Sequence, residues 1–166
     1  MRDALEDFKK SGKWIIAYSD NYLQANYYVA TAADSIFLNK TGVIDFKGLG
    51  GKSYYLTGLF DSVGVRYQCT RVGKYKSAVE SMTRKDMSEN DREQRLTLYQ
   101  GIWNHWLKEM AKSRKVTEAQ LNQLADDSIM VFAKADDYKT AKLVDDTMYP
   151  EAIKALIKNK LGIDSD

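Results

Sequence analysis

The sequence predicts an α/β fold in which strands and helices alternate in layers. Three observations carry that prediction. The apolar run Trp14–Tyr18, the small-residue and tyrosine-rich stretch Tyr22–Ala33 and the short Ser35–Leu38 read in turn as strand, helix and strand. Farther on, Val65, Tyr67 and Cys69 alternate with Arg66, Gln68 and Thr70, the period of two that marks a half-buried strand. Finally, Tyr99, Ile102, Trp103, Trp106, Leu107 and Met110 recur at helical spacing, the strongest periodicity in the chain.

The elements follow in order. Residues 2–11 read as a helix bearing Leu5 and Phe8, with Gly12 just past its end. After the Trp14–Tyr18 strand, Ser19-Asp20-Asn21 can cap the helix over Tyr22–Ala33. Ser35–Leu38 is a short strand, Asn39–Gly42 a turn by composition, and Val43–Phe46 another strand. A glycine-rich turn leads into a helix over Lys52–Ser62 with Tyr55, Leu56, Leu59 and Phe60 on one face, ended by Gly64. Val65–Thr70 is the next strand, broken by Gly73. Ser88 and Asp91 stand at the spacing of a capping box for the long aromatic helix, whose stripe reads as core or oligomer interface rather than a ligand box. Thr117 and Gln120 form a second box, with Val116 and Leu121 as its hydrophobic staple and the helix ending near Asp126. Ile129–Phe132 reads as a strand or the wall of a pocket, Ala135–Lys142 as a helix and Leu143-Val144 as a short extended piece. Pro150 opens a last helix with Ile153, Leu156 and Ile157 inward and Gly162 closing it. No repeat, low-complexity segment or linker divides the chain, so no domain boundary is expected and 1–166 is one domain or part of one.

Composition narrows the functional classes. A compact unit of 166 residues buries about 70% of its unfolded surface. With 25 basic against 23 acidic residues and a net charge of +2, nothing points to nucleic acid. The single Cys69 excludes an internal disulfide without fixing a compartment. No apolar run approaches the roughly 18 residues needed to span a bilayer, and Met1-Arg2-Asp3-Ala4 is no signal peptide. Any membrane attachment is expected outside this chain.

Few stretches suggest chemistry. Gly48-Leu49-Gly50-Gly51-Lys52-Ser53 invites a phosphate-loop reading, but Phe46 stands where such a loop needs its first glycine. His105 is the only histidine and has no cysteine or second histidine at ligand spacing, so neither a zinc site nor a Ser-His-Asp triad is expected, and no cofactor is implied. The remaining candidate is Arg71-Val72-Gly73-Lys74-Tyr75-Lys76-Ser77-Ala78-Val79-Glu80, which sets two lysines and a hydroxyl just past a predicted strand. A lysine in water, with a pKa of roughly 10.4, is the wrong species for a base. Desolvation can lower that value by about 3–5 units and let the amine take a proton from a serine hydroxyl. In a chain with 25 Lys and Arg, an individual lysine is ordinarily a solvated charge.

This run, continued by Met82–Asp91, resembles the lysine-bearing motif of signal peptide peptidase A, also called protease IV, a bacterial serine protease of the cell envelope. The likeness extends upstream through Asn26–Leu38 and downstream to Ala141–Asp145. It implies an incomplete crotonase-like (ClpP-like) fold and places Lys76, not Lys74, on the family's general base. Arg71, Gly73, Ser77 and Glu80 are weaker, supporting positions of the same motif. The nucleophile departs from the pattern: short members carry a serine before Gly-Gly-Tyr-Tyr, and Gln24 stands there, ahead of Ala25-Asn26-Tyr27-Tyr28. Long members have two related halves, the first supplying lysine and the second serine, and this sequence resembles most of the first. The strands and oxyanion-hole turn that precede the matching region in the family lie outside it, so the chain is expected to be a fragment, inactive alone.

The resemblance thus implies a serine-type endopeptidase with a Ser-Lys dyad. Its partners would be peptides such as cleaved signal peptides, a second homologous domain carrying the serine, and further copies in a homo-oligomer. It would be membrane-associated in the bacterial cell envelope, with its catalytic part outside the cytoplasm. Ser77 is an awkward substitute nucleophile, because neighbouring side chains diverge on either strand or helix; it is expected to hydrogen-bond near the lysine, and Glu80 to form a surface pair with Lys or Arg. The competing class is a non-catalytic assembly module in which the Trp103 and Trp106 helix builds an oligomer. A desolvated Lys76 facing a cleft would favour the peptidase. Acyl-coenzyme A chemistry rests on fold analogy alone.

Overall fold

The computed structural model describes residues 1–127 and 133–163. In chain order its elements are α1 (Arg2–Lys9), β1 (Ile16–Leu23), α2 (Gln24–Ala30), β2 (Ser35–Asp45), α3 (Thr57–Ser62), α4 (Glu80–Thr83), α5 (Glu89–Arg114), α6 (Glu118–Asp126), α7 (Ala135–Thr140), β3 (Asp146–Thr147) and α8 (Pro150–Leu161). They fall into two compact units, Met1–Gly48 with His105–Asp166, and Leu49–Asn104. The expected Ile129–Phe132 element lies outside the described residues.

The larger unit holds a parallel sheet in the order β1-β2-β3, so the α/β expectation is met. Its first two strands are joined through α2, the connection that a parallel pair requires. Tyr27, Ile36, Leu38, Ile44, Phe46, Met110, Leu121 and Tyr138 are buried there. Two carboxylates tie the start of β2 to the chain around it. Asp34 Oδ2 accepts Ile15 N–H at 2.8 Å, and Asp145 Oδ2 accepts Ile36 N–H at 2.7 Å while meeting the Arg114 guanidinium at 3.2 Å. Arg2 is almost fully buried, with Nη1 donating to Tyr28 O at 2.7 Å and Nη2 to Ser113 Oγ at 3.1 Å.

Several boundaries differ from expectation. The Ser19-Asp20-Asn21 run does not cap a helix; β1 continues through it to Leu23, and α2 is correspondingly short. Nor is Asn39–Gly42 a turn between two strands. The pairing passes from Ser19↔Leu38 to Asn21↔Val43, so residues 39–42 bulge from a single long β2 opposite Asp20. The Asn39 amide donates to Asp20 Oδ1 at 2.8 Å, and its Oδ1 accepts Thr41 N–H at 3.1 Å. Only glycine fits at position 42, where a Cβ would collide with the Asp20 carbonyl oxygen. Leu143 and Val144 are buried before β3 rather than forming a strand themselves. The Thr117–Gln120 box forms as expected, Gln120 N–H donating to Thr117 Oγ1 at 3.1 Å and Thr117 N–H to Gln120 Oε1 at 2.9 Å. Val116 and Leu121 line one pocket of about 320 Å³. Pro150 opens α8 and Gly162 closes it in the left-handed conformation, φ 66°.

The smaller unit departs further. Its first helix begins only at Thr57, leaving Tyr55 and Leu56 outside, and Leu59 is exposed. Val65–Thr70 is not a strand: the segment is irregular and exposed, with no sheet neighbour among the described residues. On α5 the aromatic stripe is buried only toward its C-terminal end, at Leu107 and Met110, while Trp103 and Trp106 are half-buried and Ile102 is exposed. No apolar side chain of Leu49–Asn104 is fully buried; the two buried residues are both carboxylates, Glu80 at 3% and Asp91 at 4% exposure.

Candidate active site

The motif residues all lie in the smaller unit. Gly73 takes a φ of 109°, a conformation that favours glycine, and turns the chain so that Lys76 N–H reaches the Gly73 carbonyl at 3.4 Å. The two lysines then differ. Lys74 Nζ lies 3.3 Å from Glu93 Oε2 and 3.1 Å from Tyr75 Oη, and Tyr75 Oη donates to the same carboxylate oxygen at 3.3 Å. Hydrogen bonds to Tyr75 and Glu93 push the Lys74 ammonium above its ordinary value, so it stays charged. Lys76 Nζ has no hydrogen-bond or ion-pair partner among the described residues. It lines an open pocket of about 690 Å³ together with Cys69, Arg71, Tyr75, Ser77 and Gln94. Lys76 is exposed, so the desolvation that a base requires is not supplied by the described residues.

Glu80 opens α4, and it is not the surface pair expected. Its buried carboxylate accepts Arg71 Nη1 at 3.1 Å and Ser88 Oγ at 2.7 Å on Oε1, and Ser88 N–H at 3.1 Å on Oε2. Burial alone would raise this carboxyl, yet the Ser88 hydroxyl and amide and the Arg71 guanidinium hold it below the usual glutamate value. Ser88 caps α5 through Asp91 N–H at 3.1 Å, but the expected box is half-formed, since Glu80 rather than Asp91 takes the cap's own N–H. Asp91 turns the other way. Its Oδ1 accepts Ser77 Oγ at 2.8 Å and its Oδ2 accepts Arg95 Nε at 2.8 Å. Ser77 does hydrogen-bond beside the lysine, to a carboxylate that the sequence reading had placed only in the helix cap and the family likeness. Ser88 and Asp91 were legible as helix-start residues within the Met82–Asp91 likeness, and Arg95 was not singled out.

Gln24 lies in the larger unit as the first residue of α2, and its side chain is buried. Its Oε1 accepts Lys47 N–H at 2.8 Å and Gly48 N–H at 2.9 Å, while Nε2 donates to Gly48 O at 2.9 Å. The amide therefore clamps the backbone after β2, a task that a serine is too short to perform. Gln24→Ser is expected to lower stability by about 1–3 kcal/mol by orphaning those backbone groups; an unmoved denaturation midpoint would show that the clamp contributes nothing. The exposed His105 has its Nε2 3.1 Å from Tyr28 Oη, and Trp106 stacks on the same Tyr28 ring with centroids 5.1 Å apart. No cluster of His, Cys, Asp and Glu suited to a metal ion occurs among the described residues. No helix among them is long and apolar enough to cross a membrane.

The parallel sheet makes this an α/β protein, and Lys76, its amine without a partner among the described residues, lines an open pocket. Comparison with known proteins narrows this. The profile described as peptidase family S49 matches residues 7–164, and the chain belongs to that family. It is 36% identical over 118 residues to Protease 4 of Haemophilus influenzae, covering 71% of this chain and 19% of that protein. Protease 4 of Salmonella typhi matches with the same identity and coverage. The chloroplastic serine protease SPPA of Arabidopsis thaliana is 30% identical over 170 residues, covering 100% of this chain and 24% of the relative. The chain spans about a quarter or less of the length of these relatives. The resemblance to signal peptide peptidase A is thereby borne out.

Proposed function

We propose that this chain is the lysine-bearing part of a serine-type endopeptidase of the protease IV kind, with Lys76 as general base and the nucleophilic serine contributed by a domain outside the chain. The observation that carries the reading is the contrast between the lysines. Lys74 is held as an ammonium by Glu93 and Tyr75, whereas Lys76 Nζ is unengaged among the described residues and lines the pocket. A covering domain and a bound peptide would remove Lys76 from water, favouring the neutral amine. The amine would then take the serine proton as the oxygen attacks the scissile carbonyl, and return it to the leaving nitrogen. Ser77 is already committed as a donor to Asp91, which argues against it as nucleophile.

The same reading extends to a crotonase-like fold in the whole protein, oligomeric assembly, extended apolar substrates such as remnant signal peptides, and a membrane-associated place in the bacterial cell envelope. A second reading, the non-catalytic assembly module, is favoured by the exposure of Lys76. A serine-directed phosphonate probe separates the two. The full-length protein is expected to be labelled at a serine beyond residues 1–166, and this chain alone to remain unlabelled. Label on Ser77 would overturn the shared dyad, and a full-length protein that neither labels nor hydrolyses peptides would leave the assembly module.

A further inference from the structure

The smaller unit poses a physical puzzle. Its only fully buried residues are two carboxylates, and a buried carboxylate is unfavourable unless donors fill its oxygens. Both are filled, and the donors lead to one place. Arg71 Nη1 donates to Glu80 Oε1 at 3.1 Å and also to the Lys76 carbonyl oxygen at 2.8 Å. Ser88 Oγ donates to Glu80 Oε1 and accepts Asp91 N–H. Asp91 Oδ1 accepts the hydroxyl of Ser77, the residue that follows Lys76. A closed chain of hydrogen bonds therefore runs from the Lys76 carbonyl through Arg71, Glu80, Ser88 and Asp91 back to Ser77. The peptide from which the amine projects is gripped on both sides.

We infer that Glu80 is a positioning residue for Lys76, acting through Arg71 to fix the backbone that aims the amine. This rests on the reading of Lys76 as the base. Capping of α5 accounts for the bonds between Glu80 and Ser88, but it does not account for Arg71, whose second bond goes to Lys76 and to nothing in the helix. A charged, buried Glu80 holds Arg71 Nη1 in place, and the same nitrogen holds the Lys76 carbonyl. Glutamine keeps the size of the side chain and loses the charge that anchors Arg71.

The test is a double-mutant cycle in the full-length protein, with wild type, Lys76→Ala, Glu80→Gln and the double variant assayed on a peptide substrate. Glu80→Gln is expected to lower kcat by about 10–100-fold, as misplacement of a catalytic group by an ångström can, with KM within about twofold. In the Lys76→Ala background the same substitution is expected to change the residual rate less than about twofold, because its effect passes through the missing amine. An equal loss in both backgrounds would make Glu80 merely structural and overturn the inference. Should the residual rate be too small to compare, Arg71→Lys decides. That variant keeps a cation for Glu80, but its nitrogen stands one bond short of the position of Arg71 Nη1, which holds both Glu80 and the Lys76 carbonyl, so a kcat loss with KM and melting temperature unchanged supports the inference, and unchanged kcat sinks it. Arg71→Lys serves equally if Glu80→Gln does not fold. If Lys76→Ala itself keeps full activity, the functional reading falls and this inference falls with it; if Lys76→Ala is inactive and Glu80→Gln is wild type, only the inference falls.

Discussion

Alanine at Lys76 is expected to lower kcat of the full-length protein by about 10²–10⁴-fold, the span that a positioned general base contributes. The structure makes this an unusually clean substitution. Lys76 is exposed and its ammonium has no partner among the described residues, so removing it is expected to move stability by less than about 0.5 kcal/mol. Lys74→Ala is the matched control. It breaks the contacts of Lys74 with Glu93 and Tyr75 on the surface and is expected to change kcat only a few-fold. The pair therefore assigns the base by turnover alone, with thermal melting showing that both variants are folded. Turnover by Lys76→Ala within about threefold of wild type would remove Lys76 from the chemistry.

How far the sequence reached depends on how local each signal was. The Thr117–Gln120 box and the Pro150 and Gly162 ends of α8 were legible because each is settled within one helical turn. The Ser19-Asp20-Asn21 and Asn39–Gly42 runs were misread because capping and turn residues were weighed without the strand opposite. Once β1 and β2 pair, Asn39 spends its amide on Asp20 and the bulge absorbs the polar run. Val65–Thr70 shows the converse, since alternation prepares a strand but only a ladder partner makes one, and none of the described residues pairs with it. Lys76 was singled out through the family motif. Its carboxylate frame was not, because charged residues ordinarily mean surface, and nothing in the spacing of Glu80 and Asp91 announces that both are buried.

Tyr27→Ala is expected to lower the stability of the larger unit by about 3–5 kcal/mol, the range for removing a buried aromatic ring. Tyr27 projects from α2 and is fully buried, edge-on to Tyr22 at 6.0 Å and to Phe46 at 6.1 Å between centroids. Its phenol donates to the Leu143 carbonyl at 2.6 Å, so one side chain joins the end of β1, the segment after β2 and the buried approach to β3. Burial pushes the phenol well above its usual value, which keeps it a neutral donor across the working pH range. Tyr27→Phe separates the two contributions. It keeps the ring contacts and leaves the Leu143 carbonyl unpaired, and is expected to cost about 1–3 kcal/mol. Against a typical total of about 5–15 kcal/mol, the alanine variant would leave a markedly reduced reserve, and the phenylalanine variant most of it. Urea unfolding of the three proteins orders them. An alanine variant within about 1 kcal/mol of wild type would mean that α2, and with it the Gln24 clamp on Lys47 and Gly48, is held by something other than this ring.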